Sequence, residues 1–353
     1  MAISFLIKTV KMVYSLFYYA SSLISFLCHL LWTLLLIIGG GMPWLIILLI
    51  LVCIVSKFVA LKRSPHLKSF IDKFENVNEN DNSCLCWPIA NRGSSFDVPE
   101  NSHFALKSCE KFKCKSILLD LAMTKCGELI VVHKSTIEKG NIYEPIEKIT
   151  FDSLKNFNIS EHHPLGNQFP PEKILSLPNL LTLLEGMDVT VFLLLSSTSS
   201  KCIDTVKRVV QSNENFTKKI ILCSSSAFAI YQMRKSCPDL VCGLWMDRTP
   251  KLENQYILRP KTIIMSLYSA FFQSILAPVI GISVVFIDKN EFNESVKNLW
   301  RNAGVHPVVY SVNSPNEKRY FQQVFKTRYL TDTLRSEPQI VVKQSSAYQG
   351  TVR

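Results

Sequence analysis

Short apolar strands alternate with amphipathic helices over about 250 residues, and an uncharged apolar run precedes them. Together these predict the fold class α/β: a TIM (β/α)8 barrel preceded by N-terminal transmembrane helices. A doubly wound sheet is the alternative, and it is disfavoured because no glycine-rich phosphate loop follows the first strand.

The membrane end comes first. Between Lys11 and Lys57 there is no Asp, Glu, Lys or Arg, a run far beyond the ~20 apolar residues that a bilayer crossing needs. The apolar stretch of a cleaved signal peptide spans only about 7–15 residues, which favours a retained anchor, here residues 1–62. The stretch "GGGMP", Gly39 to Pro43, suits the turn of a hairpin between segments at about 13–38 and 43–61, or a kink in one long helix. Lys57, Lys62 and Arg63 would be cytoplasmic by the positive-inside rule, joined by Lys8 and Lys11 if a hairpin returns the chain. Three glycosylation sequons, at Asn158, Asn215 and Asn293, are usable only on the other side. The expectation is an integral protein of the endomembrane or plasma membrane in contact with membrane lipid. The side of the barrel stays open, with the lumenal or extracellular side preferred.

Residues 63–84 are polar and suit a linker, and the barrel is placed at 85–334. Strand candidates are Trp87–Ala90, Ile117–Leu121, Leu129–Val132, Val189–Leu195, Ile220–Leu222, Leu240–Leu244, Ile282–Phe286, Val308–Tyr310 and Tyr329–Leu330. Helical periodicity marks "PENSHFALKSCEKF", with proline in its first turn, "SKCIDTVKRVVQS", "SSAFAIYQMRKS", "NEFNESVKNLWRNAG" and "PNEKRYFQQVF". The uncharged segment 262–281 is either an insertion packed on the barrel or a membrane-contacting helix, and the polar tail 335–353 is expected to be mobile.

Composition narrows the function classes. A net charge of +11 is spread along the chain without a block of like charges or a nucleic-acid motif, so no nucleic-acid partner is expected. Eleven cysteines form no metal array, since Cys84-Leu-Cys86 has no matching pair, and buried thiols or one or two disulfides are expected instead. No serine-hydrolase elbow, zinc-protease helix or phosphate loop occurs. "EHH", Glu161 to His163, is a polar loop whose adjacent histidines should point different ways.

Four stretches carry a resemblance: "NRGSSFDVPEN" (Asn91–Asn101), "LLD" (Leu118–Asp120), "VVH" (Val131–His133) and "FPPEKILSLPNLLTLLE" (Phe169–Glu185). With the tail "VVYSVNSPNEKRYFQQVFKTRYLTD" (Val308–Asp332), they make the chain similar to the glycerophosphodiester phosphodiesterase family from about Trp87 to Asp332. The resemblance implies hydrolysis of a glycerophosphodiester or lysophospholipid-like substrate with a divalent cation, Mg2+ or Ca2+. It also implies two histidines as acid and base, and three carboxylates on the metal. The departures fall on this chemistry. Asn91 stands where the family has its first histidine, leaving His133, and asparagine cannot exchange a proton near neutral pH. Asp120 is the one retained metal carboxylate, Leu118 and Leu194 replace the others, and Ser196 stands in the lysine position. A hard dication wants about six oxygens, so no cofactor is expected. Arg92 suits a phosphate or pairs with Glu100 or Asp120. Tyr310 and Asn313 fall at the family's barrel-mouth positions, while Glu100 and Asn101 tie down the first loop.

The expectation is a membrane-anchored family member acting as a pseudoenzyme that binds a glycerophosphodiester or lysophospholipid ligand, or a protein partner not specified by the sequence. The alternative is an active phosphodiesterase with a rearranged site using His133 and Asp120.

Overall fold

The structure, a computed structural model, describes residues 2–67, 70, 88–247, 272 and 276–335. Two compact units divide the chain, Met1–Val59 and Ala60–Arg353.

The first unit is a single helix, α1 (Ala2–Val59). It contains Thr9–Gly40, 32 residues of mean hydropathy 2.2, none of it buried, which is long and apolar enough to cross a membrane. The hairpin expected at Gly39–Pro43 does not form, and the helix continues through it. A helical proline forfeits one hydrogen bond and bends the rod, and long apolar turns on both sides can carry the helix past it.

In the second unit eight parallel strands close a ring: β1 (Pro88–Asn91), β2 (Ser116–Met123), β5 (Thr190–Leu195), β6 (Ile220–Ser224), β7 (Val241–Trp245), β8 (Val284–Asp288), β9 (His306–Tyr310) and β10 (Arg328–Thr331). Closure comes from β1, which pairs with both β10 and β2. The ring excludes β3 (Leu129–Val131), which folds back antiparallel on β2, and β4 (Leu175–Ser176), which pairs antiparallel with β3. The run Leu129–Val132 is therefore a hairpin arm rather than a barrel strand; the turn around Gly127, at φ 87°, reverses the chain before a crossover helix could form.

The main helices are α2 (His103–Lys111), α3 (Leu177–Glu185), α4 (Ser200–Ser212), α5 (Ala227–Ser236), α6 (Glu294–Asn302) and α7 (Pro315–Gln323). Each begins at a Ser or Asn whose side chain accepts a backbone N–H of the first turn: Ser102, Ser176, Ser199, Ser226, Asn293 and Ser314. Such a cap stabilises a helix start by about 1 kcal/mol. Helix α2 starts after Pro99, not with proline in its first turn, because Asn101 adopts φ 56° and cannot be helical.

Strand alternation sorts the core. One set of side chains faces the helices, and the other fills the ring with Ile89, Leu118, Phe192, Ile221, Val284 and Val308. Leu67 and Phe70 belong to this inner cluster, so part of the segment expected to be a linker serves the barrel. Its backbone is held as well: Leu61 N donates to Val279 O at 3.0 Å, Ser64 Oγ to Asp239 O at 2.5 Å, and the buried Arg234 to Lys62 O. Most of the uncharged segment 262–281, the rest of the linker and the tail after Arg335 lie outside the described residues. Among the residues whose side chains are described, eight cysteines stand outside any disulfide, six of them buried.

Candidate functional site

The site lies at the strand C-termini, where β1 hands the chain to α2. Arg92, Gly93 and Ser94 all take positive φ, at 50°, 82° and 78°. Gly93 is required here because a Cβ would come within 2.1 Å of Ala105 Cβ on α2. This turn holds Arg92 over the end of β2, with its N–H donating to Leu118 O at 2.7 Å.

Arg92 is clamped by carboxylates. Nη1 donates to Glu100 Oε2 at 3.1 Å, and Nε lies 2.7 Å from Asp120 Oδ2, a charge pairing in which the N–H is not aimed at the oxygen. Asn101 closes the arrangement from both ends: its Nδ2 donates to Asp120 Oδ2 and its Oδ1 accepts the Asp120 N–H, each at 3.0 Å. Glu100 also accepts from the Thr136 hydroxyl. Burial alone would lower the Arg92 guanidinium, but Asp120 and then Glu100 outweigh it and hold the group above its ordinary value. Burial likewise pushes Glu100 up, and Arg92 with Thr136 overcomes it, leaving the carboxyl below its ordinary value.

A second cluster forms on Asp332, just past β10. Its carboxylate accepts from Asn91 Nδ2 at 2.7 Å, Ser95 Oγ at 3.1 Å and Asn313 Nδ2 at 2.8 Å, while Asn313 Oδ1 accepts the Asp332 N–H at 2.8 Å. Asn91 and Asn313, separate positions in the sequence, are thus brought onto one carboxylate. Asp332 was not singled out from sequence, although a carboxylate directly after an apolar barrel strand was a usable signal.

His133 follows the hairpin arm β3 and caps the short helix Lys134–Lys139. Its Nδ1 accepts the Ser135 N–H at 3.2 Å and lies 2.6 Å from Ser135 Oγ. That assigns the ring proton to Nε2 in the neutral form. Burial holds His133 below its ordinary value, partly opposed by Asp120. The group is therefore a neutral hydrogen-bond donor whose basic nitrogen is already engaged.

The opposite side of the mouth is apolar. Trp245 stacks on Tyr310 at 4.7 Å and on Phe286 at 5.2 Å, and Tyr310 Oη donates to Met246 O at 3.0 Å. Leu118 and Leu194 join the same inner cluster, and the register sets Leu194 directly beside Asp120. Ser196 is exposed beyond them.

A cavity of about 380 Å³ opens beside the two carboxylate clusters, lined by Asn91, Arg92, Ser95, Glu100, Lys139, His162 and Asp332 among others. His163 also lines it, but both ring nitrogens are used: Nε2 meets Ser95 O at 3.0 Å, and Nδ1 accepts the Leu165 N–H at 3.1 Å. Its neighbour His162 packs instead on Phe157, with centroids 4.9 Å apart. The two histidines do point apart, yet both reach the cavity wall, which loop position alone did not reveal.

The donor set does not fit a hard divalent cation. Asp120 is spent on a guanidinium and an amide, and the two neighbouring interior positions are leucine. Among the described residues, no three His, Cys, Asp or Glu side chains are grouped to hold a metal ion.

A sequence profile described as the Glycerophosphoryl diester phosphodiesterase family matches residues 92–335. Glycerophosphodiester phosphodiesterase 1 of Bos taurus is 26% identical over 260 residues, covering 70% of this chain and 77% of that one. The Homo sapiens protein of the same name is 24% identical over 260 residues with the same coverage. Among solved structures, an Oleispira antarctica phosphodiesterase in complex with the product sn-glycerol-3-phosphate superposes with a TM-score of 0.54 at 16% identity, over 70% of this chain and 92% of that one. A glycerophosphodiester phosphodiesterase from Agrobacterium tumefaciens gives 0.51 at 17% identity, over 70% and 96%.

Proposed function

The chain belongs to the glycerophosphoryl diester phosphodiesterase family, and from that premise we propose that this member is a membrane-anchored binding protein whose barrel no longer hydrolyses the phosphodiester. The observation that carries the reading is the Arg92–Asp120 pair: a fixed guanidinium lies 2.7 Å from the one carboxylate left from the family's metal set. Family chemistry needs a cation to gather charge on the phosphoryl oxygens and two histidines to move protons. Here the first histidine is Asn91, committed to Asp332, and the second has its Nδ1 engaged by Ser135.

The binding reading rests on the cavity and the mouth around it. The cavity offers Lys139 and His162 at its wall with hydroxyls and amides around Asp332, and the stacked aromatics of the other half-mouth offer an apolar face. Among the groups lining the cavity, Glu100 and Asp332 balance Arg92 and Lys139, and a wall without net charge does not draw a phosphate dianion strongly. It favours a zwitterionic diester or polyol headgroup. A glycerophosphodiester or lysophospholipid meets that description, with α1 holding the protein near its lipid source.

The test is hydrolysis by the full chain in detergent, across glycerophosphodiesters and lysophospholipids, with magnesium, calcium or chelator, beside a His133→Ala control. No turnover above the control, with saturable ligand binding, is expected. Turnover that requires both metal and His133 would establish a rearranged active site instead.

A further inference from the structure

The sequence carries two opposed signals for the side of the membrane. The charge signal is slight: Lys57, Lys62 and Arg63 at one end of the apolar run against Lys8 and Lys11 at the other. The sequons oppose it, and their local structures are unequal.

Asn158 is half-buried, and its Oδ1 accepts N–H groups of Ser160 at 3.2 Å and Glu172 at 3.0 Å. Its backbone is bridged to Lys173, and the buried Ser160 hydroxyl donates to Pro170 O at 2.9 Å. A glycan there would have to stand in a pinned, partly enclosed loop. Asn215 lies inside the short helix Glu214–Lys219, where the backbone is not extended.

Asn293 differs on each count. It is exposed, its backbone is extended at φ −149° and ψ 175°, and Ser295 two residues on is exposed too. The amide oxygen is occupied, accepting the Val296 N–H at 2.9 Å as the cap of α6. Among the described residues the amide nitrogen donates to none, and that is the atom which sugar transfer uses. A glycan on Nδ2 leaves the oxygen free to keep the cap, so the modified and unmodified forms share one fold.

We propose that Asn293 is an N-glycan acceptor and that the barrel accordingly stands on the lumenal or extracellular side. In the transfer, Nδ2 forms a bond to the anomeric carbon of an oligosaccharide carried on a lipid pyrophosphate. The sugar–oxygen bond breaks, the lipid pyrophosphate leaves with the electron pair, and one amide proton passes to a base of the transferase. The proposal is independent of whether the barrel catalyses.

The experiment is synthesis of the full chain with endoplasmic-reticulum microsomes, read as gel mobility with and without an endoglycosidase that releases N-glycans. The wild type is expected to run at least one glycan step heavier before digestion. Asn293→Gln and, separately, Ser295→Ala should each lose that step. Ser295→Ala leaves the helix cap in place, so a loss shared by both variants is not a folding artefact. A wild-type chain with no endoglycosidase-sensitive shift would overturn the proposal, as would a full shift retained in both variants and removed by Asn158→Gln or Asn215→Gln.

Discussion

Replacing Arg92 by methionine tests whether its guanidinium is a structural partner or a free anion grip. The side chains of Asp120 and Glu100 are 2% and 11% exposed, against 23% for Arg92, so the substitution strands two carboxylates away from water. Removing one partner of a buried ion pair costs about 3–5 kcal/mol. Asn101 still donates to Asp120 and Thr136 to Glu100, which places the cost near the lower end, at about 3 kcal/mol. For a barrel of this size that is a fall in Tm of roughly 6–12 °C. The assay is thermal unfolding of the full chain in detergent, with Asp120→Leu and the double variant completing a cycle. The double variant should be more stable than the sum of the singles predicts by roughly 0.5–3 kcal/mol. A fall below about 2 °C, or strictly additive singles, would refute the clamp and return Arg92 to phosphate binding.

Three further outcomes are expected. Burial holds His133 and His163 below the ordinary 6.5, so the folded state binds fewer protons than the unfolded chain. Their contribution is complete above pH 6.5 and is lost as pH falls through the folded values, so Tm should drop on that acid side, and a His133→Gln/His163→Gln chain should show a flatter profile. Phe70→Ala should cost about 3–5 kcal/mol by opening the inner core cluster, whereas a true linker position would cost nothing in the same unfolding scan. Restoring Asn91→His, Leu118→Glu, Leu194→Glu and Ser196→Lys together should destabilise the metal-free barrel, because charge enters an apolar cluster. Mg2+ or Ca2+ should then stabilise the variant but not the parent, by about 2.7 kcal/mol at a hundredfold excess over Kd, read as a higher Tm.

Much of the architecture was legible in the chain. Strand alternation fixes which side chains fill the ring, because a strand's side chains alternate faces whatever it pairs with, and the serine and asparagine caps sit where the helices begin. The residue types at Asn91, Leu118 and Leu194 were equally visible, since the chain spells them directly. What the linear pattern could not give was pairing and sidedness. Leu129–Val131 has the same apolar signature as a barrel strand, and only its antiparallel partner β2 excludes it from the ring. Leu67 and Phe70 resemble any apolar residues in a linker until the inner cluster encloses them. Arg92 was equally suited to a phosphate or a carboxylate, and what the tertiary fold adds is Glu100 and Asp120 at one guanidinium, and Asn91 and Asn313 at Asp332. The physical reason is that residue type sets what a side chain is able to bind, but its occupied partner is whichever group the closed barrel brings within about 3 Å.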